Sequence, residues 1–273
     1  MEYTGLMDKI DVYSHGNLTP RQQDLLRFVI KEFINSAKPV ASATIHRKAH
    51  LHVSPATIRA ELSHLEDRGF LSQLHTSGAR VPTDKAYRHF VNSLNLQQSP
   101  EPAVNDKRAI RTALADAGQN PRQINKAVAD TLSKLTANLV ITGTEEQNDF
   151  FKFGLSNLMN LPEFREFDRM FQLTNFFEEF DRMFDLLERQ LFGPAFAKAS
   201  AGNANFKIIQ VSIGRENPVS GIKEDSVIAT RYPLPNGYIG SLTLIGPTRM
   251  DYEKNIALIK FTKEELNKRI PNI

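Results

Sequence analysis

The 273-residue chain has no cysteine and no tryptophan, and no histidine beyond position 89. Lack of cysteine excludes a disulfide framework, a thiolate metal site and a cysteine nucleophile, and fits a reducing compartment. No apolar run approaches the roughly 20 residues that a bilayer span requires. The acidic opening, Glu2 with Asp8 and Asp11, does not resemble a signal peptide. The cytoplasm is therefore the expected location, with no membrane association. Enzyme signatures are missing as well: there is no nucleophile elbow, no Gly-rich phosphate loop with lysine, no zinc-protease His-Glu pair and no dinucleotide fingerprint. The absence of histidine from the last two thirds removes the commonest general base from that region. The chain reads as a non-enzyme with no cofactor.

What is present is an ordinary globular composition, 41% hydrophobic and 24% charged, in a length that suits one large domain or two medium ones. The net charge of +3 is unevenly distributed. Residues 17–92 hold 11 Lys+Arg against 6 Asp+Glu, residues 1–16 hold 1 against 3, and residues 93–273 hold 22 of each. Basic charge and all 7 histidines thus concentrate in the first third. This asymmetry points to a polyanion-binding module joined to a neutral partner domain.

Residues 1–16 lack periodicity and read as a flexible extension. Thr19, Pro20 and Gln22 form a helix start with a capping box. Leu25, Leu26, Val29, Ile30, Phe33 and Ile34 then recur at helical spacing as far as Ser36. A short helix is expected from Ser42 to Ala49, with Ile45 inward. Ser54-Pro55 repeats the start signal, and Ile58, Leu62 and Leu65 share one face of the helix that follows. Gly69 stands where a left-handed C-terminal residue is needed. Phe70 to Pro82, with a polar Gly-containing tip, reads as a β-hairpin. Thr83 caps a further helix carrying Tyr87, Phe90, Val91 and Leu94 on one face. Three helices, a hairpin and a helix over residues 17–94 follow the order of a winged helix-turn-helix.

Residues 95–106 read as a linker. Helices are predicted over 107–117 and 121–136, and a short strand at Leu139-Val140-Ile141. Residues 150–196 hold 12 of the 18 phenylalanines. Phe164, Phe167 and Phe171 share one helical face; Phe177, Phe180 and Phe184, with Leu187 and Leu191, share another. Asn175 with Glu178 predicts a capping box between these two helices. Strands are expected at 206–213, 226–232 and 238–246, then a helix from Asp251 to about Arg269. The fold class is α+β.

The helix from Pro55 is the strongest candidate for chemistry. Its outward face carries Ala56, Ala60 and Ser63, flanked by Thr57, Arg59 and His64. Small residues let a helix backbone sink into the DNA major groove, where Arg59 can reach guanine acceptors and Thr57 and Ser63 can reach phosphates or base edges. The helix start at Ser54 is itself a phosphate site. Ser42 and Thr44 on the preceding helix join the DNA-binding set. So do His75, Thr76, Ser77 and Arg80 of the hairpin and Lys85 on the next helix. The alternative is a metal-responsive regulator using His46, His50 and His52, although no cysteine and few acidic residues stand nearby. The Phe-rich faces, Phe164, Phe167, Phe171, Phe177, Phe180 and Phe184, mix acidic and basic residues on their polar sides. They therefore suit a core or a dimer interface better than a lipid surface.

Several segments resemble the heat-inducible transcription repressor HrcA family: Leu18-Thr19-Pro20-Arg21-Gln22, Ser54-Pro55-Ala56-Thr57-Ile58-Arg59, His75-Thr76-Ser77, and Arg80-Val81-Pro82-Thr83-Asp84-Lys85. Later segments agree: Asn160-Leu161-Pro162-Glu163-Phe164, Glu216-Asn217-Pro218, and Ile245-Gly246-Pro247-Thr248-Arg249-Met250-Asp251-Tyr252. The resemblance implies a homodimeric repressor that binds an inverted-repeat operator upstream of chaperone operons, modulated by a GroEL-type chaperonin. It implies a winged-helix reader followed, over 107–273, by a GAF-like domain with an inserted helical dimerisation segment at about 150–196. The stretch between Thr136 and Phe150 is shorter than the family pattern, so a shortened GAF-like domain is expected.

Overall fold

A computed structural model describes residues 18–49, 53–73, 78–94, 100–144, 149–179, 208–217 and 219–269. The chain divides into two compact units between Ala86 and Tyr87. No helix among the described residues is long and apolar enough to cross a membrane.

The first unit begins with α1, Pro20–Ser36. Its capping box is reciprocal: the Thr19 hydroxyl accepts from the Gln22 amide, and the Gln22 side chain accepts from the Thr19 amide at 3.1 Å. Next come α2, Ser42–Lys48, and α3, Pro55–Asp67. An antiparallel hairpin follows, β1 (Leu71–Gln73) paired with β2 (Arg80–Pro82). The core is made by Leu25, Leu26, Val29 and Ile30 of α1, Ile45 of α2, and Ile58, Leu62 and Leu65 of α3. Gly69, at φ +73°, turns the chain out of α3 in the left-handed conformation that glycine adopts without strain. The helix α4, Asp84–Ser93, begins here and continues into the second unit.

The second unit adds α5 (Val104–Ala117), α6 (Pro121–Thr136), β3 (Leu139–Thr144), β4 (Asp149–Phe153), α7 (Leu155–Met159) and α8 (Phe167–Glu178). It closes with β5 (Ile209–Ile213), β6 (Asp225–Pro233), β7 (Ile239–Pro247) and α9 (Tyr252–Asn267). The strands form one antiparallel sheet in the order β4-β3-β7-β6-β5. Alternate residues of a strand face opposite sides. Leu139, Ile141, Val227, Ala229 and Ile245 meet Leu158, Phe164, Leu173 and Phe176 of the α7–α8 layer. The opposite side meets α6 and α9, where Thr142 donates to the Asn125 carbonyl and Ser226 bonds Tyr252.

Three sequence expectations change. The Phe-rich block does not begin as helix, because Phe150, Phe151 and Phe153 lie in the edge strand β4. There the Phe150 ring covers Gly143, so closely that a Cβ at Gly143 would stand 2.6 Å from it. Asn175 caps nothing, since α8 runs through it. Arg169, Leu173 and Phe176 hold that helix to the sheet as one continuous segment. The expected linker is also shorter at its end, as α5 opens at Val104.

Several buried polar groups of this unit are paired, although Thr243 Oγ1 and Asn255 Nδ2 are enclosed without a hydrogen-bond partner. Asn125 donates to the Gly143 carbonyl and the Thr144 hydroxyl at 3.0 and 2.9 Å, and accepts from Tyr232. Arg169 reaches Asp225 at 2.8 Å and Glu224 at 3.0 Å while lying over the Phe164 ring. Burial nevertheless pushes the Asp225 carboxyl up to about 6, because desolvation outweighs the adjacent guanidinium. On α4, Arg88 donates to Glu216 and to the Val211 carbonyl, the latter at 2.7 Å.

Lys263 of α9 is buried and donates to the Thr230 hydroxyl at 2.6 Å. Burial brings its ammonium down from 10.5 to about 8. Between those values the unfolded chain holds more protons than the folded one, so this group makes stability rise with pH across that window. Below it, the charged lysine is a constant cost. Lys263→Met is therefore expected to raise the unfolding free energy at pH 7 and to flatten the rise between pH 8 and 10.5. Urea unfolding of both chains across that range measures this, and parallel curves would show that Lys263 is not the titrating group.

Candidate nucleic-acid interface

The geometry of α3 follows from its two ends and its apolar side. Ser54 caps the start: its hydroxyl accepts from the Thr57 amide at 3.1 Å and lies 2.9 Å from the Thr57 hydroxyl. Pro55 takes the first helical position, where a missing N–H costs nothing. With Ile58, Leu62 and Leu65 buried, the helix exposes Ala56, Arg59, Ala60, Ser63 and His64, while Thr57 is half-buried. Of the sequence-predicted residues of α3, Ala56, Arg59, Ala60 and Ser63 thus form one continuous exposed stripe with a single guanidinium among small side chains, with Thr57 at its edge. Backbone N–H groups at such a helix start, together with its dipole, favour an anion.

The short helix α2 packs on α3. Ser42 and Thr44 are half-buried there, whereas His46 and Arg47 are exposed. Arg47 was given no role by sequence reasoning, and its only signal was a basic residue in the last turn of a short helix. Lys48 is also basic but is tied to Glu32 at 2.6 Å.

The hairpin set divides. His75, Thr76 and Ser77 lie outside the described residues. Arg80 is only 13% exposed, with its guanidinium 2.8 Å from Glu66 and donating to the Gly78 carbonyl at 2.8 Å. Lys85 donates to the Arg68 carbonyl at 2.9 Å and sits over the Phe70 ring. Both basic groups therefore have partners within the unit, unlike the open position of Arg59. Of the histidines considered for a metal, His50 and His52 lie outside the described residues. Among the described residues no group of three His, Cys, Asp or Glu could hold an ion.

In the second unit the phenylalanines named for dimerisation separate by environment. Phe164 is buried in the core and Phe177 packs partly buried against it. Phe167 and Phe171 are 80% and 56% exposed, with their rings stacked at 6.3 Å. Met170 beside them is also exposed. Phe180 and Phe184 lie outside the described residues.

The family model described as HrcA protein C terminal domain matches residues 76–256, more than half of the chain. The heat-inducible transcription repressor HrcA of Chloroflexus aggregans is 26% identical, over 92% of this chain and 93% of that protein. Its counterpart from Acetivibrio thermocellus is 26% identical, over 94% and 97%. These alignments extend over 355 and 353 positions against a 273-residue chain, so the relatives carry stretches with no counterpart here. A crystal structure described as that of a hypothetical protein superposes with a TM-score of 0.71, at 18% identity, over 93% of this chain and 98% of that one. It shares the fold.

Because Ser54 closes the start of α3 with one bond to the backbone, Ser54→Ala is expected to lower stability by about 1 kcal/mol. Ser54→Asp is expected to retain it, since a carboxylate caps equally well. Chemical unfolding of the three chains checks this order.

Proposed function

The chain belongs to the HrcA family of heat-inducible transcription repressors, and on that premise we propose that it is a cytoplasmic, homodimeric negative regulator of chaperone operons. Its first unit, with α4, acts as a winged helix-turn-helix. The observation that carries the reading is the exposed stripe of α3, where Arg59 stands among Ala56, Ala60 and Ser63 above a fully buried apolar side. A major groove about 12 Å wide admits such a helix, and an arginine there can bind guanine O6 and N7 in bidentate fashion. Ser54 and Thr57 at the helix start, with Ser42 and Thr44 on α2, would hold phosphates and fix the register. The hairpin, including His75, Thr76 and Ser77, would lie against the neighbouring backbone or minor groove. An inverted-repeat operator follows from two-fold symmetry of the dimer.

In the second unit a shortened GAF-like domain would carry the dimer contact, with Phe167, Met170 and Phe171 of α8 as its apolar centre. An exposed stacked aromatic pair beside a methionine matches the composition of interface cores. A GroEL-type chaperonin would modulate the repressor, in keeping with a chain that has no cysteine to serve as a thiol trigger.

Gel-shift titration against the chaperone promoters of the source genome, with and without chaperonin, tests the reading as a whole. Arg59→Ala is expected to weaken operator binding and relax discrimination by roughly 1–3 kcal/mol. An equal loss on random-sequence duplex would make Arg59 a phosphate contact only. Phe167→Glu combined with Phe171→Glu is expected to shift sedimentation from dimer to monomer with little change in the thermal midpoint of the protomer. An unchanged dimer would remove α8 from the interface.

A further inference from the structure

We propose that Arg80 and Glu66 are positioning residues for DNA binding, an ion pair that sets the hairpin against the last turn of α3 rather than a contact with nucleic acid. The inference rests on the DNA-binding reading above. It reverses the expectation for Arg80, which as a basic residue at the base of a hairpin tip reads from sequence as a groove or phosphate contact.

Four connections hold Arg80. Its Nη2 stands 2.8 Å from Glu66 Oε2. Nη1 donates to the Gly78 carbonyl at 2.8 Å, two residues back along the chain, where Gly78 takes φ +71°. The Arg80 amide donates to the Val40 carbonyl at 2.9 Å, and the Val40 amide donates to the Arg80 carbonyl at 2.8 Å. One residue thus joins the strand β2, Gly78 just before it, the last turn of α3 and the segment leading into α2. The side chain is mostly buried, and its Nε is enclosed without a partner. Swinging the guanidinium out to a phosphate would strand Glu66 and release the Gly78 carbonyl together. Such an arrangement holds the hairpin at a fixed angle to the helix that carries Arg59.

The two roles predict opposite signs for Glu66. DNA is a polyanion, so deleting a carboxylate from a DNA-binding unit should tighten binding if only charge matters. If Glu66 holds Arg80, deleting it should loosen the hairpin and weaken binding, although the protein becomes more positive.

The test uses the full chain and four variants: Glu66→Gln, Arg80→Gln, both together, and the exchange Glu66→Arg with Arg80→Glu. Each is titrated by fluorescence anisotropy into a chaperone-promoter duplex of the source genome and into a random duplex of equal length, over a salt series. Thermal unfolding is recorded alongside. Glu66→Gln and Arg80→Gln are each expected to weaken promoter binding about tenfold, and the double variant to be no worse than either, as residues in one interaction behave. The exchange should recover most of the loss, and the salt dependence should stay unchanged. The pairing role is overturned if Glu66→Gln binds as well as or better than the original chain, or if the exchange recovers nothing. It is also overturned if Arg80→Gln alone reduces the salt slope by about one, the mark of a lost phosphate contact. If Arg80→Gln fails to unfold cooperatively, Glu66→Gln and the exchange decide. An unaltered chain that binds neither duplex defeats the DNA-binding reading itself, and this role with it.

Discussion

Burial of Ile58, Leu62 and Leu65 on one side of α3 is the constraint from which the candidate interface follows. Each such side chain contributes about 1.5–3 kcal/mol when removed from water, and all three are nearly inaccessible. Rotating the helix by one residue would expose part of that set and drive Arg59 toward the core without a partner, a far larger cost. The outward stripe of Ala56, Arg59, Ala60 and Ser63 is therefore determined by what lies behind it. Ser54 and Gly69 fix where the helix begins and ends. The polar face needs no stabilising role of its own, which leaves its residue types to be chosen by a ligand.

The second unit applies the same logic with polar anchors. Its sheet is covered on both faces, so a hydroxyl, amide or charge placed there is costly unless it finds a partner, and of the groups on the sheet the Thr243 hydroxyl has none. From α6, Asn125 meets groups of two strands, β3 and β6; Lys263 meets Thr230 from α9, and Arg169 meets Asp225 from α8. Apolar packing tolerates small slips between layers, whereas a one-residue slip of a strand would carry each of these partners to the wrong face. Lys263 and Asp225 bear shifted ionisation as the cost of that specificity.

What could be read from the sequence was local. The starts at Thr19, Ser54 and Asp251 depend on residues within three positions of the cap, and the structure places a cap bond at each. The periodic apolar faces of α1 and α3 are equally local. The missed features depend on distant partners. Phe150-Phe151 lacks the alternation of a strand and becomes one only because β3 offers Gly143 beneath the Phe150 ring. The capping signal Asn175-Glu178 is overridden by contacts that α8 makes with the sheet. Arg80 and Lys85 look free in sequence, yet Glu66 and the Arg68 carbonyl lie 14 and 17 positions away. Arg59 differs from them because its helix turns it outward, and that was visible in the spacing of Ile58 and Leu62.

The string Phe-Asp-Arg-Met-Phe occurs twice in the sequence, at 167–171 and 180–184, and its first copy shows why period alone could not separate core from exposed surface. In this copy the arginine is buried and both phenylalanines are exposed, the reverse of ordinary preference. The inversion is imposed from outside the helix: Asp225, 56 positions away, and Glu224 pair with Arg169, and the Phe164 ring covers the guanidinium. Once Arg169 turns inward with Leu173 and Phe176, helical geometry forces Phe167, Met170 and Phe171 outward together. A protomer that stayed alone would gain nothing from holding three large apolar groups in water. An ion pair that enforces their exposure is consistent with a surface meant to be covered.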